Sequence, residues 1–479
     1  MKMRVRSSNF LFFIMLAIAV TSLLTVFCYI AGLPLIIPAL LLFCALYLFC
    51  FAKVNGRLLM QMGLQLTLIV FTAHCFKEYY TDISYLYIPV ASVAILTTLL
   101  YSDIQLGFMM SLLSSVCVSL IVGGDFHFML VSFIGSLAGA YAVCDARTRG
   151  KLIEAGLLVG LTQVVCSFLL NPAMQLFLVK DYLLTTIKPL FLNGLISAFV
   201  VIATLKIFET LFGVLTNFSL LELADFNQPL LRRLVLEAPG TYHHSLMVSN
   251  IAEAASDVIG ANALLTRVGA YYHDIGKIEK PEYFTENQLH DNSKHDHIEP
   301  SISRLVILNH VKDGIELARR YKLNERIIDF IPQHHGTSLI HYFYQKALED
   351  ASVDETVDQE NFRYAGPKPR SRETAIVLLA DSVEGAVRTL SDPSPGHIDE
   401  LVRKIINNKF IDGQLDECDL TLREIEKISS TFVRVLSAIH HTRVKYPEKK
   451  NGNSHKKSAE ANSSSPSAPH QNNQGRSAA

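Results

Sequence analysis

Seven histidine and aspartate side chains in the second half of this chain have the types and order of a two-metal centre. They are His244, His273, Asp274, His310, His334, His335 and Asp381. Imidazole and carboxylate are ligands that borderline and hard divalent cations accept, and a carboxylate can bridge two cations whereas an imidazole cannot. Two cations about 3.5–4 Å apart can hold a hydroxide and bind both oxygens of an in-line phosphoryl displacement. The set therefore predicts phosphoester hydrolysis by a di-metal-activated hydroxide.

The adjacent pair His273 and Asp274 is the centre of this prediction. The pair follows the apolar run LLTRVGAYY and precedes Gly276, so we expect it at a helix end that opens onto a cleft. Asp274 is the predicted bridging carboxylate. The remaining ligands divide into a first group of His244, His273 and Asp381 and a second group of His310, His334 and His335.

Two neighbouring residues were also considered as members of the predicted site. Lys277 follows the His-Asp pair by about one helical turn, so its ammonium is expected to face the cleft and neutralise a phosphate oxygen. His243 competes with His244 for one ligand position. Adjacent helical side chains point about 100° apart, so only one of the two can face the metals. The predicted catalytic residues are therefore Asp274 and Lys277, and His244 is the preferred ligand.

The first part of the chain has the pattern of a membrane protein. Hydrophobic residues make up 50% of the sequence, and they are concentrated before about residue 213. A hydrocarbon core about 30 Å thick requires about 20 apolar residues per helix. Eight candidate spans result: Phe10–Ile30, Leu33–Ala52, Leu58–Phe76, Ile83–Tyr101, Leu106–Val122, Phe128–Cys144, Leu152–Leu170 and Leu190–Phe212. The fifth and sixth are short, and one of them could be re-entrant.

Basic residues in the links predict the orientation. With an even number of spans, one side of the membrane holds Lys2, Arg4, Arg6, Lys53, Arg57, Arg147, Arg149, Lys151, Arg232 and Arg233. The other side holds only Lys77, Lys180 and Lys188. Because cytoplasmic links are enriched in Lys and Arg, the C-terminal half is predicted to be cytoplasmic, below a multi-pass region in the plasma membrane. A cleaved signal peptide is the competing interpretation of the first span, which is long for one.

The second part of the chain is predicted to be helical throughout. Apolar residues recur every three or four positions in its segments, and hardly any segment alternates like a strand. We expect an all-α chain with a membrane domain at 1–213, a connector helix at 214–231 that continues the last span, and a phosphohydrolase domain at 232–447. Ser371 is a candidate helix N-cap. The tail at 448–479 lacks the apolar content to fold and is predicted to be disordered.

The motifs YYHDIGK, PEYFTENQ, HHGTSLIHYFYQKA and FRYAGPKPRSRETAIVLLADSVEGAVRTL resemble the cytoplasmic domain of the seven-transmembrane HD-domain phosphodiesterases of the PgpH type. The resemblance implies hydrolysis of cyclic di-AMP to pApA by two divalent ions, manganese or iron. The family's ligand pattern falls on all seven positions named above. Members usually carry an extracellular domain after their first span, whereas here the first two predicted spans are joined by little more than Ala31–Pro34.

The substrate is the least determined part of the sequence prediction. Two metals specify phosphoester hydrolysis and not a particular nucleotide, so another nucleotide, or a membrane receptor with a non-catalytic HD domain, remains an alternative. Cyclic di-GMP hydrolases of the HD-GYP type carry a Gly-Tyr-Pro loop that GTSLIHYFYQKA lacks. Tyr342, Phe343 and Tyr344 are candidates for stacking on adenine or for the core. No basic stripe with aromatics predicts a nucleic acid polymer as partner, and a homodimer is possible.

Overall fold

The structure, a computed structural model, describes residues 25–26, 56–170, 182–288, 294, 299–350 and 357–440. Regular structure within these ranges is helical, and the extended backbone there pairs in one isolated antiparallel bridge, between Leu339 and Arg363. The prediction of an all-α chain is confirmed for the described residues. The predicted spans Phe10–Ile30 and Leu33–Ala52 and the predicted disordered tail lie outside them, apart from residues 25–26.

The apolar region is a helical bundle. Its helices are α1 (Gly56–Tyr79), α2 (Ala91–Tyr101), α3 (Ile104–Val122), α4 (Phe126–Ala142), α5 (Arg149–Leu170) and α6 (Lys188–Phe212). Four of the described apolar segments are long and apolar enough to cross a membrane: Leu58–Tyr79, Ile104–Val122, Arg149–Leu170 and Leu183–Phe212. Tyr85–Tyr101 and Phe126–Ala142 are shorter. The fifth predicted span therefore has full length, and the sixth is short as expected.

Small and polar side chains pack this bundle. A Cβ on Gly156 of α5 would lie 2.7 Å from the carbonyl oxygen of Gly194 in α6, so the two backbones approach closely only because both residues are glycine. The Gln163 amide donates to Asn193 Oδ1 at 3.3 Å, and Asn193 Nδ2 donates to the carbonyl of Ile88 at 2.6 Å. Close backbone contact and hydrogen bonds of this kind hold helices together in an apolar solvent, where burial of apolar surface drives little association.

The segment after the last apolar helix differs from the prediction. A single connector helix was expected over 214–231, but α6 ends at Phe212, and Gly213 adopts the left-handed conformation (φ 62°) that terminates a helix. Thr216 then caps a new short helix, α7 (Asn217–Leu223), and Pro229 begins α8 (Pro229–Glu237). The apolar periodicity across this segment therefore reports the buried faces of two short helices.

The second region is a helical domain. Its helices are α9 (Pro239–Ile259), α10 (Ala263–Tyr272), α11 (Pro300–Arg320), α12 (Glu325–Ile328), α13 (Phe330–Gln333), α14 (His341–Asp350), α15 (Arg372–Val387), α16 (Pro395–Ile411) and α17 (Leu422–Ile439). Three 3₁₀ turns over Ile275–Glu279, Pro281–Tyr283 and Thr285–Asn287 follow α10. The predicted cap is confirmed, since the Ser371 hydroxyl accepts from Thr374 N at the start of α15.

Helix α15 lies at the centre of the domain. Its residues Ala375–Ala380 are all 0% exposed, which explains why this stretch is apolar around its whole circumference. Two hydrogen bonds link the domain to the segment between the last apolar helix and α8. Asn324, the N-cap of α12, donates to the carbonyl of Gly213 at 2.8 Å, and the Tyr272 hydroxyl donates to the carbonyl of Leu223 at 2.9 Å. Tyr272 is the residue directly before the His-Asp pair.

Candidate metal centre

The seven predicted ligands converge in the interior of the helical domain. His244 lies on α9, His310 on α11 and Asp381 on α15, while the two adjacent pairs follow the ends of α10 and α13. Their ligand atoms form two groups, each with its atoms within 4.8 Å of one another: His244, His273, Asp274 and Asp381, and His310, His334 and His335. This division matches the one expected from the sequence. His243, the competitor of His244, is exposed.

Asp274 lies between the two groups. Its Oδ2 is 3.2 Å from His273 Nε2 and 3.6 Å from His244 Nε2. Its Oδ1 is 3.5 Å from the Nε2 atoms of both His310 and His334. One carboxylate oxygen therefore faces each group, which is the arrangement that a bridging carboxylate requires. The side chain is 1% exposed, so water does not compete for these oxygens.

Hydrogen bonds at Nδ1 orient the histidines. The Nδ1 atoms of His273 and His334 lie 2.7 and 2.6 Å from the carbonyl three residues earlier, and His310 makes the same contact. The Nδ1 of His244 instead lies 2.5 Å from Glu384 Oε2. Because a carbonyl or carboxylate partner requires Nδ1 to carry the hydrogen, the lone pair is on Nε2, and all four Nε2 atoms point at the centre.

The inward atoms lack hydrogen-bond partners. His273 Nε2, His310 Nε2, His334 Nε2 and Oδ1 of Asp274 are buried without one. Buried polar atoms are paired in nearly all proteins, because each unpaired one costs about 1–3 kcal/mol. Lone pairs of imidazole and carboxylate converging on one point are the donor set of a divalent cation. The residues present therefore fit divalent metal ions.

Charge in the centre perturbs the pKa values of its members. Burial alone would lower the pKa of His244, but its hydrogen bonds to Asp381 and Glu384 raise it to about 9. Burial alone would also lower the pKa of His273, but the Asp274 and Asp381 carboxylates raise it to about 10. Burial dominates at His310, where it lowers the pKa to about 4. A cation must displace the protons of His244 and His273 in order to bind there.

Lys277 lies in the site, but its ammonium is already engaged. Its Nζ is 2.7 Å from Asp274 Oδ2 and 2.7 Å from Glu286 Oε1. Glu286 in turn accepts from the Thr241 hydroxyl at 3.2 Å, which anchors the 3₁₀ segment against α9. Burial alone would lower the pKa of Lys277, and the two carboxylates raise it instead. The direct contacts of Lys277 are thus carboxylates, and a contact with phosphate stays a prediction.

Two residues beside the centre were not predicted. Glu384 holds His244, and it follows Asp381 by three helical positions, so helical spacing alone could have indicated it. Tyr364 stacks on His335 with ring centroids 4.1 Å apart at 25°. The Phe284 ring also lies beside the centre, 5.8 Å from that of His310. Of the aromatic cluster that was a candidate for stacking or for the core, Tyr342 is 64% exposed and Phe343 is a core residue. Tyr364 lies in a loop without periodicity, so no sequence signal indicated its position.

Comparison with known proteins agrees with this architecture. The family model described as a 7TM receptor with intracellular HD hydrolase matches residues 29–216, and the HD domain model matches residues 241–386. Cyclic-di-AMP phosphodiesterase PgpH of Bacillus subtilis is 41% identical over 384 residues, which cover 78% of this chain and 52% of that protein. PgpH of Listeria monocytogenes is 43% identical over 317 residues, which cover 66% of this chain and 44% of that protein. This chain spans about half the length of these curated relatives.

Two crystal structures of the L. monocytogenes PgpH HD domain are also similar. The first is 49% identical with a TM-score of 0.43, and the second, in complex with cyclic-di-AMP, is 48% identical with a TM-score of 0.44. Each covers 45% of this chain and 100% of the solved chain. Apolar helices followed by a helical domain with a His/Asp centre define a membrane protein with an HD domain. The chain belongs to the seven-transmembrane HD-domain family of which PgpH is a member.

Proposed function

We propose that this chain is a membrane-anchored, metal-dependent phosphodiesterase that hydrolyses cyclic di-AMP to pApA. The observation that carries the reaction type is Asp274, with one carboxylate oxygen facing each group of ligand atoms. The substrate is supported by the PgpH relatives, which are named for cyclic di-AMP. The excess of basic residues on one side of the predicted spans supports a cytoplasmic HD domain below the plasma membrane.

The chain's own residues have separable tasks in this reaction. Asp274, with His244, His273 and Asp381 on one side, would hold the first of two ions, and His310, His334 and His335 would hold the second. The donor set fits divalent ions, and the resemblance to the PgpH type implies that these are manganese or iron. Two bound divalent ions would stabilise charge on the phosphate and lower the pKa of a water molecule.

The surroundings of the ligands support the same reaction. Lys277 balances the negative charge of Asp274, and Glu286 holds Lys277 in that position. Glu384 keeps His244 in the tautomer that presents Nε2 to the centre. Asp381 and His335 have side chains that are 13% and 20% exposed, so the substrate would enter on their side of the otherwise buried centre.

The test uses the full chain purified in detergent with manganese. It is incubated separately with cyclic di-AMP, cyclic di-GMP and a deoxynucleoside triphosphate, and the products are separated by chromatography. We expect pApA from cyclic di-AMP and no comparable product from the others. Asp274→Ala should abolish turnover, because it removes an oxygen from both ligand groups, whereas His243→Ala should retain it. Binding of cyclic di-AMP without product would instead identify a receptor, and turnover by Asp274→Ala would overturn the bridging assignment.

A further inference from the structure

Lys409 of α16 lies beside the metal centre and is used by none of the contacts described so far. It is partly buried, and its ammonium donates to the Ser338 hydroxyl at 2.7 Å. It forms no ion pair with any carboxylate among the described residues. Burial lowers the pKa of Lys409, and Asp381 is the first of the negative charges that oppose this effect. The hydrogen-bond partner that the structure gives this ammonium is thus a neutral hydroxyl, and no described carboxylate lies within ion-pair distance of it.

Three other cations in the neighbouring segments are already paired with carboxylates. Arg363 is bound by Asp412 at 3.0 Å, Lys368 lies 3.5 Å from Asp416, and Arg370 lies 3.4 Å from Glu417. Lys277, the lysine that the sequence assigned to phosphate, is held by two carboxylates. An incoming anion would have to break an ion pair at each of these residues. At Lys409 it would displace or share only a neutral hydroxyl.

The position of Lys409 is fixed relative to the exposed edge of the centre. Its partner Ser338 donates its N–H to the His335 carbonyl at 3.1 Å and accepts from Tyr364 N at 3.1 Å. Tyr364 in turn stacks on His335. Lys409, Ser338, Tyr364 and His335 thus form one corner, at the side where His335 and Asp381 are partly exposed. Among the described residues, the ammonium of Lys409 is thus held on the partly exposed side of the centre.

We propose that Lys409 binds a phosphate oxygen of the substrate and positions that phosphate at the metal centre. This inference rests on the proposed function, and it assigns to Lys409 the phosphate contact that the sequence assigned to Lys277. An ammonium that donates to a phosphate oxygen makes a charge-assisted hydrogen bond, which is stronger than its bond to a hydroxyl. The Ser338 hydroxyl then serves to hold the lysine in place before the substrate arrives.

The test compares Lys409→Met, which removes the charge but keeps an unbranched stem, with Lys409→Arg and with Lys404→Met, an exposed lysine on the same helix. Steady-state kinetics in manganese are measured with cyclic di-AMP and with bis(p-nitrophenyl) phosphate, a single phosphodiester without a base. We expect Lys409→Met to lower kcat/KM for cyclic di-AMP by about 10- to 100-fold, as for loss of one charged hydrogen bond. Arg should restore most of the loss, and Lys404→Met should cause none.

Further measurements separate substrate contact from a structural role. Manganese affinity and the thermal midpoint of Lys409→Met should match wild type. Ser338→Ala removes the hydroxyl that holds the ammonium but keeps the charge, so it should lower kcat/KM by less than Lys409→Met does. Equal kcat/KM for Lys409→Met and wild type, or an equal loss in Ser338→Ala, overturns the inference. If wild type cleaves neither substrate, the proposed function fails. Binding of inorganic phosphate to the manganese-loaded protein then tests whether Lys409 contacts phosphate. Weaker binding by Lys409→Met supports the contact, and unchanged binding overturns it.

Discussion

Glu384 offers a sharp test of the metal centre, because it touches a predicted ligand without being one. Its Oε2 lies 2.5 Å from His244 Nδ1, and the side chain is 5% exposed. Its other described ion pair is a long one, 4.0 Å to Arg388. Replacing Glu384 by alanine would leave all seven ligands in place but would free the His244 ring to rotate or to change tautomer. The metal affinity should then fall although no ligand is lost.

The expected loss of metal affinity follows from this hydrogen bond. Loss of a carboxylate that orients a ligating histidine typically lowers metal affinity or activity by about 10- to 100-fold, or about 1.4–2.7 kcal/mol. Glu384→Gln keeps an acceptor oxygen but removes the charge, so its loss should be smaller. The carboxylate also helps to raise the pKa of His244 to about 9, so protons compete with the metal in wild type at neutral pH. The loss in Glu384→Ala should therefore grow between pH 7 and pH 9.

The assay is isothermal titration of manganese into the full chain at both pH values, with turnover of cyclic di-AMP measured in parallel. Glu400→Gln, an exposed glutamate on α16, is the matched control and should behave as wild type. Thermal unfolding of the metal-free proteins identifies any variant that is simply misfolded. Manganese affinity and turnover that stay at wild-type values in Glu384→Ala at both pH values would refute the reasoning that His244 is a ligand oriented by this carboxylate.

Two more predictions concern the pH response and the backbone around the ligands. The pKa values of His244 and His273 are raised to about 9 and 10, so both are protonated below that range. Manganese affinity of the group that contains these two histidines should therefore rise as pH increases towards 9. Titrations in buffers of different ionisation enthalpy should detect about two protons released when this group binds its ion at pH 7.5, one from each histidine. Gly276→Ala should lower the free energy of unfolding by more than about 3 kcal/mol, because its Cβ would meet the His310 carbonyl oxygen and Gly314 N. Gly385→Ala is the control, since there is open space at its Cβ. In the same denaturation assay it should stabilise α15 by about 0.5–1 kcal/mol.

Local sequence signals were sufficient for the elements and for the identity of the centre. The period of apolar residues predicted helices because one face of each must be buried, and Ser371 was recognisable as a cap because its hydroxyl replaces a missing backbone partner. The 100° between neighbouring helical residues meant that only one of His243 and His244 could face the metals, and the ligand pattern of the resembled family selected His244. These inferences depend on neighbours within a few positions of the chain.

Contacts between distant segments were beyond the same reasoning. Lys277 was expected to be free for phosphate, but Glu286 reaches it from a 3₁₀ turn that has no apolar period. Tyr364 stacks on His335 from a loop, and Lys409 reaches Ser338 from helix α16. No pattern in the neighbouring sequence predicts either contact. The prediction of a single connector helix was wrong for another reason. A glycine such as Gly213 within an apolar pattern weakens a helix but does not require that the helix end there.

The ligand geometry has an energetic consequence for the whole domain. Four buried atoms, the Nε2 atoms of His273, His310 and His334 and Oδ1 of Asp274, lack hydrogen-bond partners. At about 1–3 kcal/mol each, their cost is comparable with the total stability of a domain, about 5–15 kcal/mol. The apolar run Ala375–Ala380, wholly buried in α15 beside the ligand Asp381, belongs to the core that must offset this cost. A cation that pairs these atoms binds only the folded domain, so its binding free energy adds to folding. Ligand positions that are costly without a cation are therefore maintained by the core around them, and metal loading and stability of this domain are one coupled property.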